Sequence, residues 1–446
     1  AEMALSHSGA LAGTDESSSA VFDHYGVQRV EDMDQLATAL VMFAQPQATA
    51  GGGIVCLHDS GGERQLMIDL ADQFSVPLAQ LDTQTLARLK GLLDPGLPAV
   101  NPLDGWGAGG AHAPANMAAC FTALLEDRDA ALGAVVHDRG PNSEIYPSYM
   151  EYLHQAQGAT GKPVFLVANR QGSGSDNLAI TSTQRGFPVI DGVSQFLVGA
   201  RCLLNYRDFQ QRQAPEMPTL DPQKVIHWRQ RLQSQQQVSE VLASQFLADL
   251  DIPMVSGAEV ATESQLIEAA GQLDYPLVLK TAEPGIAHKS DQGGVILNIP
   301  SQAKLLEAYQ HLAQRLGSAA MLAPMVESAG VEMIMGISTD KQFGPVVVLG
   351  FGGIYAELLK DTTVLLPPFD SATAAEAIGR LRMSPMLAGV RGSPAVDIQA
   401  YATAAARLSV LAVEFADLIA EIDINPVKVM ASGCLGLDAL MLLKSR

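Results

Sequence analysis

Between residues 50 and 205 short apolar runs alternate with helix-like stretches, and this alternation limits the fold more than any other feature. Ile54-Val55-Cys56-Leu57, Gly133-Ala134-Val135-Val136, Pro163-Val164-Phe165-Leu166-Val167 and Phe187-Pro188-Val189-Ile190 read as buried strands. Gly61-Gly62 opens a helix that continues through Leu66, Leu70 and Phe74. Strands separated by helices in this way predict a doubly wound parallel sheet.

The flanking regions read differently. Upstream, residues 1–45 look like the end of another α/β unit, with a strand at Val27–Val30 and a helix carrying Met33, Leu36, Leu40 and Phe43 at helical spacing. Nothing in the opening segment supplies a strand to feed it, so the chain is expected to begin inside a domain. A Gln- and Arg-rich stretch, 206–235, contains Pro215, Pro218 and Pro222 and reads as a linker. After it, residues 236–446 predict helices at Val238–Leu247, Glu263–Gln272 and Tyr401–Phe415, and strands at Leu277–Lys280, Val295–Leu297 and Val346–Leu349. A closing hairpin of Val427–Met430 and Leu435–Asp438 turns at Ala431-Ser432-Gly433. That is an α+β region with antiparallel pieces. The resulting division is 1–45, 46–205, linker 206–235 and 236–446, within the roughly two to four domains that 446 residues allow.

Charge narrows the function. The formal charge of −20 argues against a nucleic-acid partner, because phosphate contacts need clustered Lys and Arg. Cys56, Cys120, Cys202 and Cys434 are far apart, so neither a zinc site nor a disulfide framework is expected. No apolar run is long enough to span a bilayer, and a cytoplasmic protein is expected.

Several constellations could carry chemistry. His7, in Ser6-His7-Ser8-Gly9-Ala10-Leu11-Ala12-Gly13, is a ring among small residues, suited to taking and releasing a phosphoryl group or simply to lying in a surface loop. Lys280 ends a buried strand and precedes the loop His288-Lys289-Ser290-Asp291-Gln292-Gly293-Gly294. A lysine there can hold a phosphate under glycine amides, or can snorkel beside an ordinary turn. Glu421, Asp423 and Asn425 alternate along an otherwise apolar run, and the hairpin brings Asp438 towards them; this is an oxygen set for Mg²⁺, or a solvated face with a turn. Gly350 to Glu357, with Asp361 beyond, fits anion approach or tight packing equally. Asp59-Ser60-Gly61-Gly62 offers free helix N–H groups to a phosphate, or a plain N-cap by Ser60, with His58 structural.

Together these stretches resemble the NDP-forming acyl-CoA synthetases, the superfamily of succinyl-CoA synthetase and ADP-forming acetyl-CoA synthetase. Ser-His-Ser-Gly-Ala-Leu-Ala-Gly at 6–13 matches the phosphohistidine loop, SHTGALAG, and His288 to Val295 matches HKSDxGGV of the ATP-grasp domain. Phe343-Gly344-Pro345-Val346-Val347, Gly352-Gly353-Ile354, Gly389-Val390-Arg391-Gly392, Glu421 to Pro426 and Asn101-Pro102-Leu103-Asp104 also match, in order along the chain.

The resemblance implies a flavodoxin-like ligase domain followed by an α+β ATP-grasp domain. It implies an acid–CoA ligase that uses ATP, Mg²⁺ and coenzyme A and releases ADP and phosphate. His7 maps to the phosphohistidine and His288 to a relay histidine. Lys280 maps to a phosphate-gripping lysine, with Gly293 and Gly294 in the glycine loop, and Glu327 and Glu332 fall near the hinge that holds adenosine. Asp423, Asn425 and Asp438 map to Mg²⁺, and Ser60, Gly61 and Gly62 to a helix start that cradles the phosphohistidine. The substrate is a small carboxylic acid, and the family forms homo-oligomers. The family's N-terminal CoA-binding segment, which can be a separate chain, is not matched, and Leu365 stands where relatives often carry arginine. A carboxylate–amine ligase and a non-catalytic nucleotide or acyl-CoA sensor are the alternatives.

Overall fold

Five strands form the parallel sheet: β1 (Gly53–His58), β2 (Leu103–Asp104), β3 (Ala130–His137), β4 (Val164–Ala168) and β5 (Val189–Asp191), in the order β2-β1-β3-β4-β5. Alternation along each strand explains the continuous apolar runs. On β1, Val55 and Leu57 face helices Ala113–Glu126 and Tyr146–Thr160, whereas Ile54 and Cys56 face helices Gly61–Gln73 and Val193–Gln211. Both faces are covered, so every residue of β1 is buried. This order is the flavodoxin-like one, and the order in which parallel strands are added reverses between β1 and β3, where such sheets place their ligands.

The computed structural model describes residues 14–107, 109–137, 146–169, 177–283, 286, 289, 292–326, 329–353, 359–390, 392 and 394–445. The chain divides into two units: Gly26–Gln213, which holds the parallel sheet, and a second that joins helix Thr14–Tyr25 to Ala214–Arg446.

The second unit contains two antiparallel sheets. One has strands β6 (Ala258–Val260), β7 (Leu277–Thr281), β8 (Val295–Ile299) and β9 (Ala320–Pro324) in the order β6-β9-β7-β8. The other has β10 (Val331–Asp340), β11 (Gly344–Phe351), β12 (Thr362–Leu365), β13 (Ile419–Val429) and β14 (Cys434–Gly436) in the order β12-β11-β10-β13-β14, with β15 (Ala439–Leu443) also on β13. Its main core lies between that sheet and helices Pro222–Gln233, Glu240–Asp249, Ser371–Gly379 and Ile398–Glu414, and includes Trp228, Phe246, Tyr401, Leu408 and Phe415.

Two expectations change. Val27–Val30 forms no strand; Val27 is half exposed and no described strand pairs with it. The stretch 206–235 is helical at both ends, since helix Val193–Gln211 runs into it and helix Pro222–Gln233 fills its second half. That second helix buries Trp228 and Leu232, and the Trp228 indole N–H donates to Asp249 at 3.0 Å. Its polar composition reflects the solvent face of an amphipathic helix. No helix among the described residues is long and apolar enough to cross a membrane.

Candidate active site

Lys280 is the penultimate residue of β7, whose five side chains are all buried. Its ammonium donates to Glu240 Oε1 at 2.7 Å, to the Leu437 carbonyl at 2.8 Å and to Asp438 Oδ2 at 3.0 Å. Burial acts to lower its pKa, but the Asp438 and Glu240 carboxylates outweigh it and the group is held above the usual lysine range. Glu240 sits in the first turn of its helix, which Ser239 caps by accepting from the Leu242 N–H. The second oxygen of Glu240 accepts from Lys289 Nζ. Sequence reading missed Glu240, because an acid after a capping serine is an ordinary helix start.

The glycine loop returns to β7. The Thr281 N–H donates to the Gly294 carbonyl at 2.7 Å, and the Gly294 N–H donates to the Lys289 carbonyl at 2.6 Å. A Cβ on Gly294 would lie 2.7 Å from Thr281 Cγ2 and 2.9 Å from the Lys289 carbonyl oxygen. Gly294 therefore permits the close approach that brings Lys289 to Glu240, and its own N–H is already used. At Gly293, with φ of +66°, a Cβ would meet the Arg315 guanidinium at 3.2 Å.

Oxygen donors lie beside the lysines. β13 carries Asp423 and Asn425, and the chain between β14 and β15 returns Asp438. The Asn425 N–H donates to the Asp438 carbonyl at 3.3 Å, and the Leu437 N–H donates to the Pro426 carbonyl at 2.9 Å. Burial, then Glu421 and Asp438, push the Asp423 carboxyl up to about 7. Burial acts to raise Asp438 too, yet Lys280 and Lys289 hold it below the ordinary carboxylate range. A crowded carboxylate short of positive charge, with an amide and a second carboxylate alongside, is a donor set that suits a hard divalent cation. Among the described residues no group of three or more His, Cys, Asp and Glu gathers for a metal, so this set depends on the asparagine amide.

Glu332 pairs with Lys428 across β10 and β13, Nζ to Oε1 at 3.4 Å. Gly353, at φ of +62°, leaves room for it, since a Cβ there would lie 2.5 Å from Glu332 Oε2. Asp361 is buried and accepts from the Arg382 and Met383 N–H groups at 3.1 and 2.7 Å, which makes it a backbone clamp. Leu365 belongs to the apolar core of the sheet. His7, His288 and Glu327 lie outside the described residues.

In the other unit, Ser60, Gly61 and Gly62 follow β1 at the switch point. The Ser60 hydroxyl makes no capping bond, so the helix start is not closed by its own N-cap. Three carboxylates surround it. Asp59 accepts from the Tyr149 hydroxyl, Glu63 accepts from the Asn169 amide, and Asp104 lies 3.3 Å from where a Cβ of Gly61 would be. His58 is buried, neither ring nitrogen has a partner among the described residues, and burial with the Arg64 charge depresses it to about 3. Asn101 is structural: its oxygen accepts from the Cys56 N–H at 3.1 Å and its amide donates to the Ile54 and Ala79 carbonyls at 2.9 and 3.1 Å.

Residues 230–443 match the family model of an ATP-grasp domain. A trans-feruloyl-CoA synthase from an unknown prokaryotic organism is 28% identical over 99% of this chain and 63% of its own length. The ADP-forming acetate–CoA ligase I of Archaeoglobus fulgidus is 28% identical over 99% of this chain and 64% of its own length. The chain thus spans less than two thirds of these relatives. The beta subunit of the ADP-forming acetate–CoA ligase I of Pyrococcus furiosus is 35% identical over 45% of this chain and 89% of the subunit.

Proposed function

Because this chain belongs to the family of ADP-forming acetate–CoA and related acid–CoA ligases, we propose that it carries the ATP-dependent phosphoryl transfer of an acid–CoA ligation. The observation that carries this reading is the meeting of Lys280 with Asp438, beside Asn425 and Asp423, with Lys289 joined to the same cluster through Glu240. Paired cations next to oxygen donors suit a nucleotide polyphosphate bound with its metal ion.

In the proposed sequence a ring nitrogen of His7 attacks the γ-phosphorus of ATP. An N–P bond forms, the bond to the bridging oxygen breaks, and ADP leaves. Where His288 acts as a relay, its ring nitrogen takes the phosphoryl group from ATP first, and His7 then attacks that phosphorus and displaces His288. A carboxylate oxygen of the acid then attacks phosphorus, freeing His7 and giving an acyl phosphate. The CoA thiolate attacks the acyl carbon and phosphate departs. Lys280 neutralises charge on the transferring group, and the closed loop at Gly293 and Gly294 fixes Lys289. Asp423, Asn425 and Asp438 would hold Mg²⁺, which when bound offsets phosphate charge. Glu327 and Glu332 are assigned to adenosine, and the helix start at Ser60, Gly61 and Gly62 to recognition of a phosphate group. Such steps depend on positioning and charge neutralisation.

Relatives of this chain exist as the alpha and beta subunits of one ligase, the ADP-forming acetate–CoA ligase II of Pyrococcus furiosus. The partner proposed for this chain is accordingly a CoA-binding segment or chain, in a homo-oligomeric, cytoplasmic assembly acting on a small carboxylic acid. The test is product identity. Turnover yields ADP and phosphate and requires both a carboxylic acid and CoA. Formation of AMP, or turnover stimulated by an amine without CoA, would overturn the reading.

A further inference from the structure

Lys280 has three ammonium protons and three acceptors within 3.0 Å: Glu240 Oε1, the Leu437 carbonyl and Asp438 Oδ2. Each proton is thus matched to an acceptor, and a phosphate oxygen can gain a full hydrogen bond from Lys280 only if one acceptor gives way. Lys289 is drawn to the same carboxylate, through Glu240 Oε2. The Glu240 side chain is 7% exposed, so it bridges two ammonium groups where water screens little.

The three acceptors are not equally free to leave. The Leu437 carbonyl is fixed by the backbone, because the Leu437 N–H is bonded to the Pro426 carbonyl across the hairpin. Asp438 lies beside Asn425, within the donor set that would hold the divalent cation. Glu240 is on a separate element, helix Glu240–Asp249, and its carboxylate stands at the end of a side chain with three torsions. Its carboxylate, with two oxygens spread between two lysines, presents anionic acceptors to the same ammonium groups that a phosphate would otherwise meet.

We propose that Glu240 is a displaceable counter-ion: it bridges Lys280 and Lys289 in the nucleotide-free protein, and a nucleotide phosphate takes its place. The inference rests on the nucleotide site proposed above and adds a positioning residue to it. Glu240 holds the two lysines together and masks their charge, and nucleotide binding must compete with it. Removing its charge therefore strengthens nucleotide binding, whereas removing a residue that remained as a fixed support would weaken it.

Calorimetric titration with Mg·ADP of the unaltered protein and of Glu240→Gln tests this. The expected result is an affinity for Glu240→Gln several-fold higher than that of the unaltered protein. Equal or weaker binding by a folded Glu240→Gln overturns the inference and leaves the nucleotide site standing. Absence of Mg·ADP binding by the unaltered protein overturns both. A structure of the unaltered protein with Mg·ADP is independent of how well the variant folds. It should show Glu240 parted from at least one lysine, with a phosphate oxygen in its place, and an intact bridge alongside bound phosphates would refute the displacement.

Discussion

Lys280 Nζ on β7 lies 3.0 Å from Asp438 Oδ2, a residue 158 positions further along the chain and on the other antiparallel sheet's hairpin. The contact joins a phosphate-type lysine to a metal-type carboxylate, so the two sheets share one electrostatic centre.

Replacing Lys280 by methionine removes the shared cation and leaves the carboxylates of Glu240 and Asp438 facing each other with Lys289 as the remaining cation among the named contacts. Loss of one partner of a buried ion pair costs about 3–5 kcal/mol. Urea denaturation followed by circular dichroism should show a loss of that order in the transition of this unit. A loss below about 1 kcal/mol would mean the cluster is effectively solvated.

Gly294→Ala tests the closed loop. The added methyl would sit 2.7 Å from Thr281 Cγ2 and 2.9 Å from the Lys289 carbonyl oxygen. Overpacking of this kind costs about 1–3 kcal/mol, and relief of the contact with the Lys289 carbonyl shifts the residue that reaches Glu240. We expect a lowered melting temperature together with weaker ADP binding. A variant matching the unaltered protein in both would show that the close approach is not needed.

Asn101→Ala should damage stability and spare nucleotide binding. It deletes one acceptor and two donor contacts that tie the Ile54, Cys56 and Ala79 backbones. At about 1 kcal/mol for each bond, and more where a backbone group is left unpaired, the loss is about 2–4 kcal/mol. Differential scanning calorimetry reads the first part and ADP titration the second.

His58 gives a pH dependence with a fixed sign. Its folded pKa, depressed to about 3, lies below the ordinary value of 6.5, so the unfolded chain binds the proton first. Stability is therefore full above pH 6.5 and falls as the pH drops from there towards 3. The slope from one such group approaches about 1.4 kcal/mol per pH unit. His58→Leu should remove that share, so the stability difference between variant and unaltered protein shifts in favour of the variant on acidification. A difference independent of pH would show that the buried ring is not held neutral.

Much of the fold was legible in the sequence because the governing signals are local. Ile54 to Leu57 and Pro163 to Val167 are apolar on both faces, as a covered parallel strand must be, and the Ala431-Ser432-Gly433 turn marks the closing hairpin. Lys280 and Asp438 were legible as separate residues, but their contact was not, since no local pattern encodes a pairing across 158 positions. Glu240 was hidden in an unremarkable helix start. Trp228 was masked by its polar neighbours: averaged along the chain, helix Pro222–Gln233 reads as linker, and only its helical period reveals a buried side. Asn101 shows in the sequence only as part of a short family motif, while its three backbone contacts lie in tertiary structure.

The phosphoryl-transfer account is tested most directly by incubating the protein with ATP labelled in the γ-phosphate and mapping the label by peptide mass spectrometry. The expected result is an acid-labile, base-stable label on His7, formed with release of ADP and abolished in His7→Ala. ATP bound without any label on His7, or labelling unchanged in His7→Ala, would contradict it.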